Sequence, residues 1–158
     1  MKKQSWKPYL FWILFTEGVG FLSGWLTREG VRLFNASAQQ PPLSPPAILF
    51  PIVWSILYAL MGAGAARIYL APASNARSRA LLVYLIQLAS NFLWSIIFFN
   101  LQNYALAFFW LLILWGMILL MILSFWKVDR IAALLQIPYL LWVSFAAYLT
   151  FGVWMLNR

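Results

Sequence analysis

Leu111-Leu-Ile-Leu-Trp115-Gly116-Met-Ile-Leu-Leu-Met-Ile-Leu123 carries no polar side chain apart from the indole N–H of Trp115. A helix through this stretch is apolar on every face, so it has no side to turn toward water. A barrel strand would alternate apolar and polar residues, and that alternation is absent. The stretch therefore reads as the middle of a membrane-spanning helix whose apolar run extends from Tyr104 to Trp126.

Four more runs of the same kind flank it: Tyr9 to Leu26, Pro46 to Leu70, Ala80 to Leu101 and Ile131 to Leu156. The five runs hold 18 to 26 residues each, roughly 27 to 39 Å of helix against a hydrocarbon core of about 30 Å. The whole chain agrees: of 158 residues 65% are hydrophobic and 9% charged, too little polar surface for a water-soluble globule. The expectation is an all-α, multi-pass integral membrane protein, a single bundle of five transmembrane helices over residues 1–158. With no cysteine and no histidine, disulfides, thiolate chemistry, histidine-ligated haem iron and every triad using His or Cys are excluded, and no metal site is expected.

The boundaries carry signals of their own. Ser44 is placed to cap the second helix with Pro45 at its first position, and Asp129 to cap the fifth. Ala71 to Arg79 reads as a polar connector, Gln102-Asn103 as a tight hairpin, and Thr27 to Ser44 as the one long linker. Lys2, Lys3, Lys7, Arg67, Arg77, Arg79, Lys127 and Arg130 fall on one side, against Arg28, Arg32 and Arg158 on the other. That asymmetry predicts a cytoplasmic amino terminus in a bacterial plasma membrane. The net charge of +8 is then topology and attraction to lipid headgroups; no basic stripe interleaved with aromatics exists outside the spans, so no nucleic-acid partner is expected. Lys2, Lys3 and Lys7 ahead of an apolar run resemble a signal peptide with Ala36-Ser37-Ala38 as its cleavage site. The triplet lies past Arg28, Glu29 and Arg32, far beyond the run, so the segment is read as a retained helix. Asn35-Ala36-Ser37 also spells a glycosylation acceptor.

Polar and aromatic residues deep in the spans mark the interior of the bundle, because an amide or indole N–H in hydrocarbon needs a partner. Trp54, Tyr58 and Gly62 recur every four residues in the second span. Gln87, Asn91 and Ser95 do so in the third beside Trp94, and Trp142, Ala146 and Thr150 in the fifth with Tyr139 a turn earlier. Trp6, Tyr9, Trp25, Tyr69, Trp126 and Trp154 sit at span ends and read as interface belts. Trp54, Trp94 and Trp142 do not, since each lies about 10 Å or more from the nearer end of its span; they are read as cavity lining. Pro51 and Pro138 fall inside helical patterns, where each is expected to bend its helix and to free the carbonyl of Ala47 or Leu134. Gly20-x-x-x-Gly24 and Gly62-Ala-Gly-Ala-Ala66 allow close helix contact, inside the bundle or in a homodimer.

The run Pro45-Pro46-Ala-Ile-Leu-Phe-Pro51-Ile-Val-Trp54-Ser-Ile-Leu-Tyr58-Ala-Leu-Met61-Gly62, then Gln87-Leu-Ala-Ser-Asn91-Phe-Leu-Trp94 with Phe98-Phe99, then Pro138-Tyr139-Leu-Leu-Trp142 with Phe145-Ala146 and Leu156-Asn157, closely resembles the translocator protein family. That family includes the bacterial tryptophan-rich sensory proteins and the mitochondrial peripheral-type benzodiazepine receptors. The resemblance covers nearly the whole chain in order, and Glu29-Gly30-Val31-Arg32 looks like the family's animal branch. It implies a five-helix bundle that binds porphyrin or haem, sterols and benzodiazepine-type drugs in a pocket near one membrane face, with the first linker folded across the mouth. The family's pocket residues correspond to Trp54, Asn91, Trp142 and Ala146, with Pro45 and Pro46 nearby; Tyr58, Gln87, Trp94, Tyr139 and Phe145 complete the candidate ligand-binding set. Some members are reported to degrade protoporphyrin in light, and two of the positions implicated match Trp54 and Trp142.

The sequence departs from the family in several places. Gln40-Pro41-Pro42-Leu43 stands where the linker usually carries Lys-Pro-x-Trp, and a Trp-Tyr pair is missing near Leu33-Phe34. After Tyr148 the next basic residue is Arg158, too distant for the sterol-recognition pattern. Thr150 replaces an asparagine, and Glu17 is an unusual acid inside the first span. Three functional classes follow. The first is a binding protein for tetrapyrroles and similar flat ligands, acting in sensing, regulation or transport and needing no resident cofactor. The second is a light-dependent porphyrin-degrading enzyme. The third is a coupled transporter or channel, disfavoured because five spans do not divide into two inverted halves.

Overall fold

The structure, a computed structural model, describes residues 6–158; Lys2 and Lys3, counted above for topology, lie outside the described residues. Helices α1 (Trp6–Leu26), α2 (Arg28–Ser37), α3 (Leu49–Leu70), α4 (Asn75–Ser95), α5 (Tyr104–Trp126), α6 (Arg130–Leu134) and α7 (Ile137–Leu156) follow in order, and α4 runs on through a π-helical turn at Ile96–Asn100. Among the described residues there is no strand, and five segments are long and apolar enough to cross a membrane: α1, α3, α4 with its π turn, α5, and α6 with α7. The chain is thus an all-α, multi-pass integral membrane protein.

Several ends differ from the sequence reading. Ser44 does not cap the second span; its hydroxyl donates to the Pro41 carbonyl at 2.7 Å, and α3 starts at Leu49. Pro51 consequently stands in the first turn of α3 and Pro138 in that of α7, where a missing N–H leaves no bond unmade, so neither bends a helix from within. The carbonyl of Ala47 accepts from the Phe50 N–H at 3.3 Å. The fifth span is instead broken at Leu135 and Gln136, just ahead of Pro138. The third span begins five residues before Ala80, at Asn75, because Ser74 accepts a hydrogen bond from the Arg77 N–H. Asp129 caps as expected, accepting from the N–H groups of Ile131 and Ala132, and Asn103 caps α5 from the short hairpin.

One half of the bundle is solid. Small residues on α3 permit it: a Cβ added to Gly62 would come 2.5 Å from the Cα of Ile13 on α1, and one on Gly64 would meet the Gln136 side chain below α7. Gly20 on α1 packs on the ring of Tyr58, so these small-residue contacts lie inside the bundle. Met61, Ala65, Ile68, Tyr84, Ile118, Met121, Phe125, Ala132 and Tyr139 fill the space between the helices. In this half α3 meets the fifth span chiefly through α6. Arg67 ties the two with an ion pair to Asp129 at 2.9 Å. Helix α5 forms the back wall, packed on α4 and α7.

Four of the six belt residues, Trp6, Trp25, Tyr69 and Trp126, carry a cation over the ring. Lys7 lies 5.8 Å from Trp6, Arg28 4.3 Å from Trp25, Arg77 5.0 Å from Tyr69 and Arg130 5.1 Å from Trp126. Such amphipathic rings hold a helix end at the headgroup level.

Candidate ligand cavity

The other half of the bundle is hollow. At the end where α1, α4 and α7 finish and α3 begins, the helices enclose a cavity of about 830 Å³, within the range of small-molecule sites. Trp54 and Tyr58 from α3, Trp94 from α4, and Trp142 and Ala146 from α7 line it. The four-residue stripes explain why: residues four apart share a helix face, and the faces carrying Trp54/Tyr58 and Trp142/Ala146/Thr150 turn toward the same space. Trp94 is fixed by its indole N–H, which donates to the Ala107 carbonyl of α5 at 3.1 Å. Among the described residues the indole N–H of Trp142 has no partner although the atom is buried. It is an unsatisfied donor in the cavity wall, screened from the open space and reached by an occupant only if the ring turns.

Gln87, Asn91 and Tyr139 do not line the cavity; they form a plug beneath it. The Asn91 amide donates to the Tyr139 hydroxyl at 2.7 Å, that hydroxyl donates to the Gln87 carbonyl oxygen at 2.8 Å, and the Gln87 amide donates to the Tyr84 carbonyl at 3.0 Å. Each polar group expected to seek a ligand has found another helix instead, as buried polar atoms must when no water is present. Tyr58 joins plug to cavity: its ring faces the cavity, and its hydroxyl stands 3.5 Å from the Asn91 oxygen.

Three other candidates fall elsewhere. Pro45 and Pro46 belong to the segment before α3, and it is their neighbours on either side, Ser44 and Ala47, that reach the cavity. Phe145 precedes Ala146 by one position, about 100° around the helix, and lies in an outer groove between α3 and α7 with Val53, Ile56 and Leu141. Trp142 stands between that groove and the cavity and borders both.

The long linker forms the roof, and its helix α2 is an element the sequence reading left out. Phe34 packs on Phe98 and Phe99 of the π turn, with ring centres 5.2 and 5.6 Å away. Gly30 allows the approach, because a Cβ there would come 2.5 Å from the Phe99 carbonyl oxygen. The Asn100 amide closes the joint by donating to the Leu26 carbonyl at 3.1 Å. Beyond α2, the departing segment Gln39 to Pro42 is fastened to α7. Asn157 accepts from the Gln39 N–H at 3.0 Å and donates to its carbonyl at 2.7 Å, and the Tyr148 hydroxyl donates to the Pro42 carbonyl at 2.7 Å. Gly152 leaves room for the Pro41 ring, 2.5 Å from where a Cβ would stand. On α2 itself, Arg32 holds the exposed carboxylate of Glu29, with its Nε 3.1 Å from each oxygen, and this keeps Glu29 below its ordinary pKa.

This geometry can be set beside known proteins. The model of the TspO/MBR family matches residues 12–155. The chain belongs to the TspO/MBR family. It is 36% identical over 140 residues to the tryptophan-rich protein TspO of Chlorobaculum tepidum, covering 88% of this chain and 89% of that one. It is 39% identical over 122 residues to protein CrtK of Rhodobacter capsulatus, covering 77% and 76%, and 35% identical over 156 residues to the translocator protein of Ovis aries, covering 97% and 92%. The family match thus takes in every element that builds the cavity. The Ovis aries relative is named a translocator protein, and a further relative from Cereibacter sphaeroides, 34% identical over 118 residues and covering 75% of this chain and 73% of that one, is named a tryptophan-rich sensory protein.

Proposed function

We propose that this TspO/MBR family member is a membrane binding protein for tetrapyrroles and similar flat apolar ligands, and that it senses or carries them rather than transforming them. The observation that carries the reading is the cavity wall: Trp54, Trp94, Trp142, Phe34, Phe50 and Phe98 present aromatic surface around one space of about 830 Å³. Stacking on such faces contributes about 0.5 to 1.5 kcal/mol per ring pair beyond burial, and the unsatisfied Trp142 N–H supplies one directed hydrogen bond when the ring turns toward the ligand. Nothing in this arrangement asks for an iron ligand. Binding through ring faces and shape tolerates different macrocycles.

In this reading the mouth lies at the α2 end of the bundle, beneath the linker. Lys7, Arg67, Arg77, Arg79, Lys127 and Arg130 all belong to the opposite end, near the start of α1, the end of α3, the start of α4 and the turn from α5 to α6. Under the rule that basic loops stay inside, the amino terminus is cytoplasmic and the cavity opens on the outer face. Sterol recognition is not part of the proposal, because the hydroxyl of Tyr148 is engaged by the linker at Pro42 and no basic residue follows it before Arg158.

The test is an absorbance titration with protoporphyrin of the protein in nanodiscs, in darkness and under illumination. Saturable dark binding is expected, with bleaching in light no faster than with empty nanodiscs. Faster bleaching that disappears in Trp54→Phe or Trp142→Phe, while dark binding survives, would make the protein the light-dependent enzyme instead. An indole is far easier to oxidise than a phenyl ring, so these substitutions separate chemistry from stacking.

A further inference from the structure

The chain contains three acidic residues in all. Glu29 is paired with Arg32 on the outer surface of α2. Asp129 caps α6 and holds Arg67 at 2.9 Å. Glu17 is left, near the middle of α1, half-buried and on the cavity wall, and among the described residues its carboxyl has no hydrogen bond or ion pair. Gly20, one turn further on the same wall, lies against Tyr58, so this face of α1 fronts the cavity's aromatic wall. The cavity's basic residue, Arg28, lies beyond the end of α1, about three turns from Glu17. Its guanidinium is committed there, donating to the Trp25 carbonyl at 2.6 Å and covering the Trp25 ring.

A carboxyl inside a membrane bundle is costly to keep without a partner and faces a cavity when it serves one. Tyr58, Trp54 and Trp94 on the surrounding walls offer ring faces that attract a cation but no second acid to compete for it. We propose that Glu17 makes this cavity selective for flat aromatic ligands bearing a protonated nitrogen, with the carboxylate accepting the N–H and the rings packing around the ammonium. A charge-assisted hydrogen bond in a water-poor site is about twice as strong as a neutral one, so the preference is for the cation over a neutral molecule of the same shape. The inference rests on the reading of the cavity as a ligand site, and adds to it the chemical class that the α1 wall selects.

The experiment compares two fluorescent probes of nearly identical shape, dimethylaminomethyl-pyrene, protonated at neutral pH, and isobutyl-pyrene, its neutral isostere. Each is titrated into the full chain in nanodiscs. Glu17→Gln and Glu17→Met are carried in parallel, and whichever retains isostere affinity supplies the comparison. The expected result is that the amine binds at least tenfold more weakly to the neutral variant than to the wild type while the isostere binds both within twofold, and that Glu17→Asp restores part of the amine affinity. Equal amine affinity in wild type and variant, with the isostere still bound, overturns the role of Glu17 and leaves the cavity assignment standing. Failure of both probes and of protoporphyrin to bind the wild type overturns the cavity assignment and this inference with it.

Discussion

The amide nitrogen of Asn91 and the hydroxyl of Tyr139 lie 2.7 Å apart, joining α4 to α7 just below the hollow half of the bundle. Through the same hydroxyl the bond continues to Gln87. This junction separates the residues that hold the helices together from those free to meet a ligand. Replacing Tyr139 with phenylalanine leaves Gln87 without its donor and Asn91 without its acceptor. The expected loss is about 1 to 2 kcal/mol of stability, the upper range for interhelical hydrogen bonds in membranes. Unfolding in mixed micelles measures it. Porphyrin affinity should change less than twofold, because Tyr139 is not on the cavity wall.

Ala146 and Phe145 are neighbours in sequence on opposite sides of that wall. Ala146→Thr adds bulk and a hydroxyl inside the cavity, a misfit of roughly 1 to 3 kcal/mol, so protoporphyrin should bind tenfold or more weakly in a dark titration. Phe145→Ala should leave the affinity unchanged, because that ring lies in the outer groove.

Gly62 faces the backbone of Ile13, with no flexible side chain in between to yield. Gly62→Val should therefore force α1 from α3 and lower the unfolding midpoint, with a cost of about 1 to 3 kcal/mol. Gly18→Ala, on the same helix as Ile13 but with open space around it, should be neutral or slightly stabilising. Thermal unfolding of the two variants side by side checks the contrast.

The roof should be separable from the walls. Asn157→Ala removes both bonds to Gln39 and should speed porphyrin dissociation severalfold in a stopped-flow displacement experiment, with the fold intact. Acid should act on the same roof through Glu29. Its folded pKa lies below the model-compound value of 4.5 because Arg32 hydrogen-bonds the carboxylate, so the pair's contribution is fully present above that value and is lost as pH falls through the lowered one. The dissociation rate should be flat from about pH 8 to about pH 5 and rise only below the ordinary carboxylate range.

The spans were legible because nothing competes with continuous hydropathy over twenty residues: Leu111 to Leu123 has no alternative fold. The cavity-facing stripe was legible for Trp54 and Trp142 because four-residue spacing fixes a helix face. It could not say how far along that face the hollow extends. Gln87 and Asn91 share their stripe with Ser95, yet only Ser95 reaches the cavity; the difference lies in Tyr139 crossing from α7, a contact between residues far apart in the chain. Helix α2 lay hidden because the linker from Thr27 to Ser44 was defined only as the stretch between two apolar runs, and a short polar-faced helix makes no such run. The alternation of Glu29, Arg32 and Asn35 with Val31 and Phe34 marked an amphipathic helix within it. Pro138 was expected to bend a continuous helix, and the break at Leu135 and Gln136 was not foreseen, because a proline disturbs the residues before it and is tolerated at a helix start.

The most direct test of the account is a structure of the protein with protoporphyrin bound, determined in a lipid environment in the dark. The account places the macrocycle inside the bundle, against Trp54, Trp142 and Ala146 with Phe34 above it, and the Trp142 N–H donating to it. A macrocycle seated in the outer groove against Ile56, Leu141 and Phe145, or the cavity filled by side chains with porphyrin on the lipid face, would contradict it.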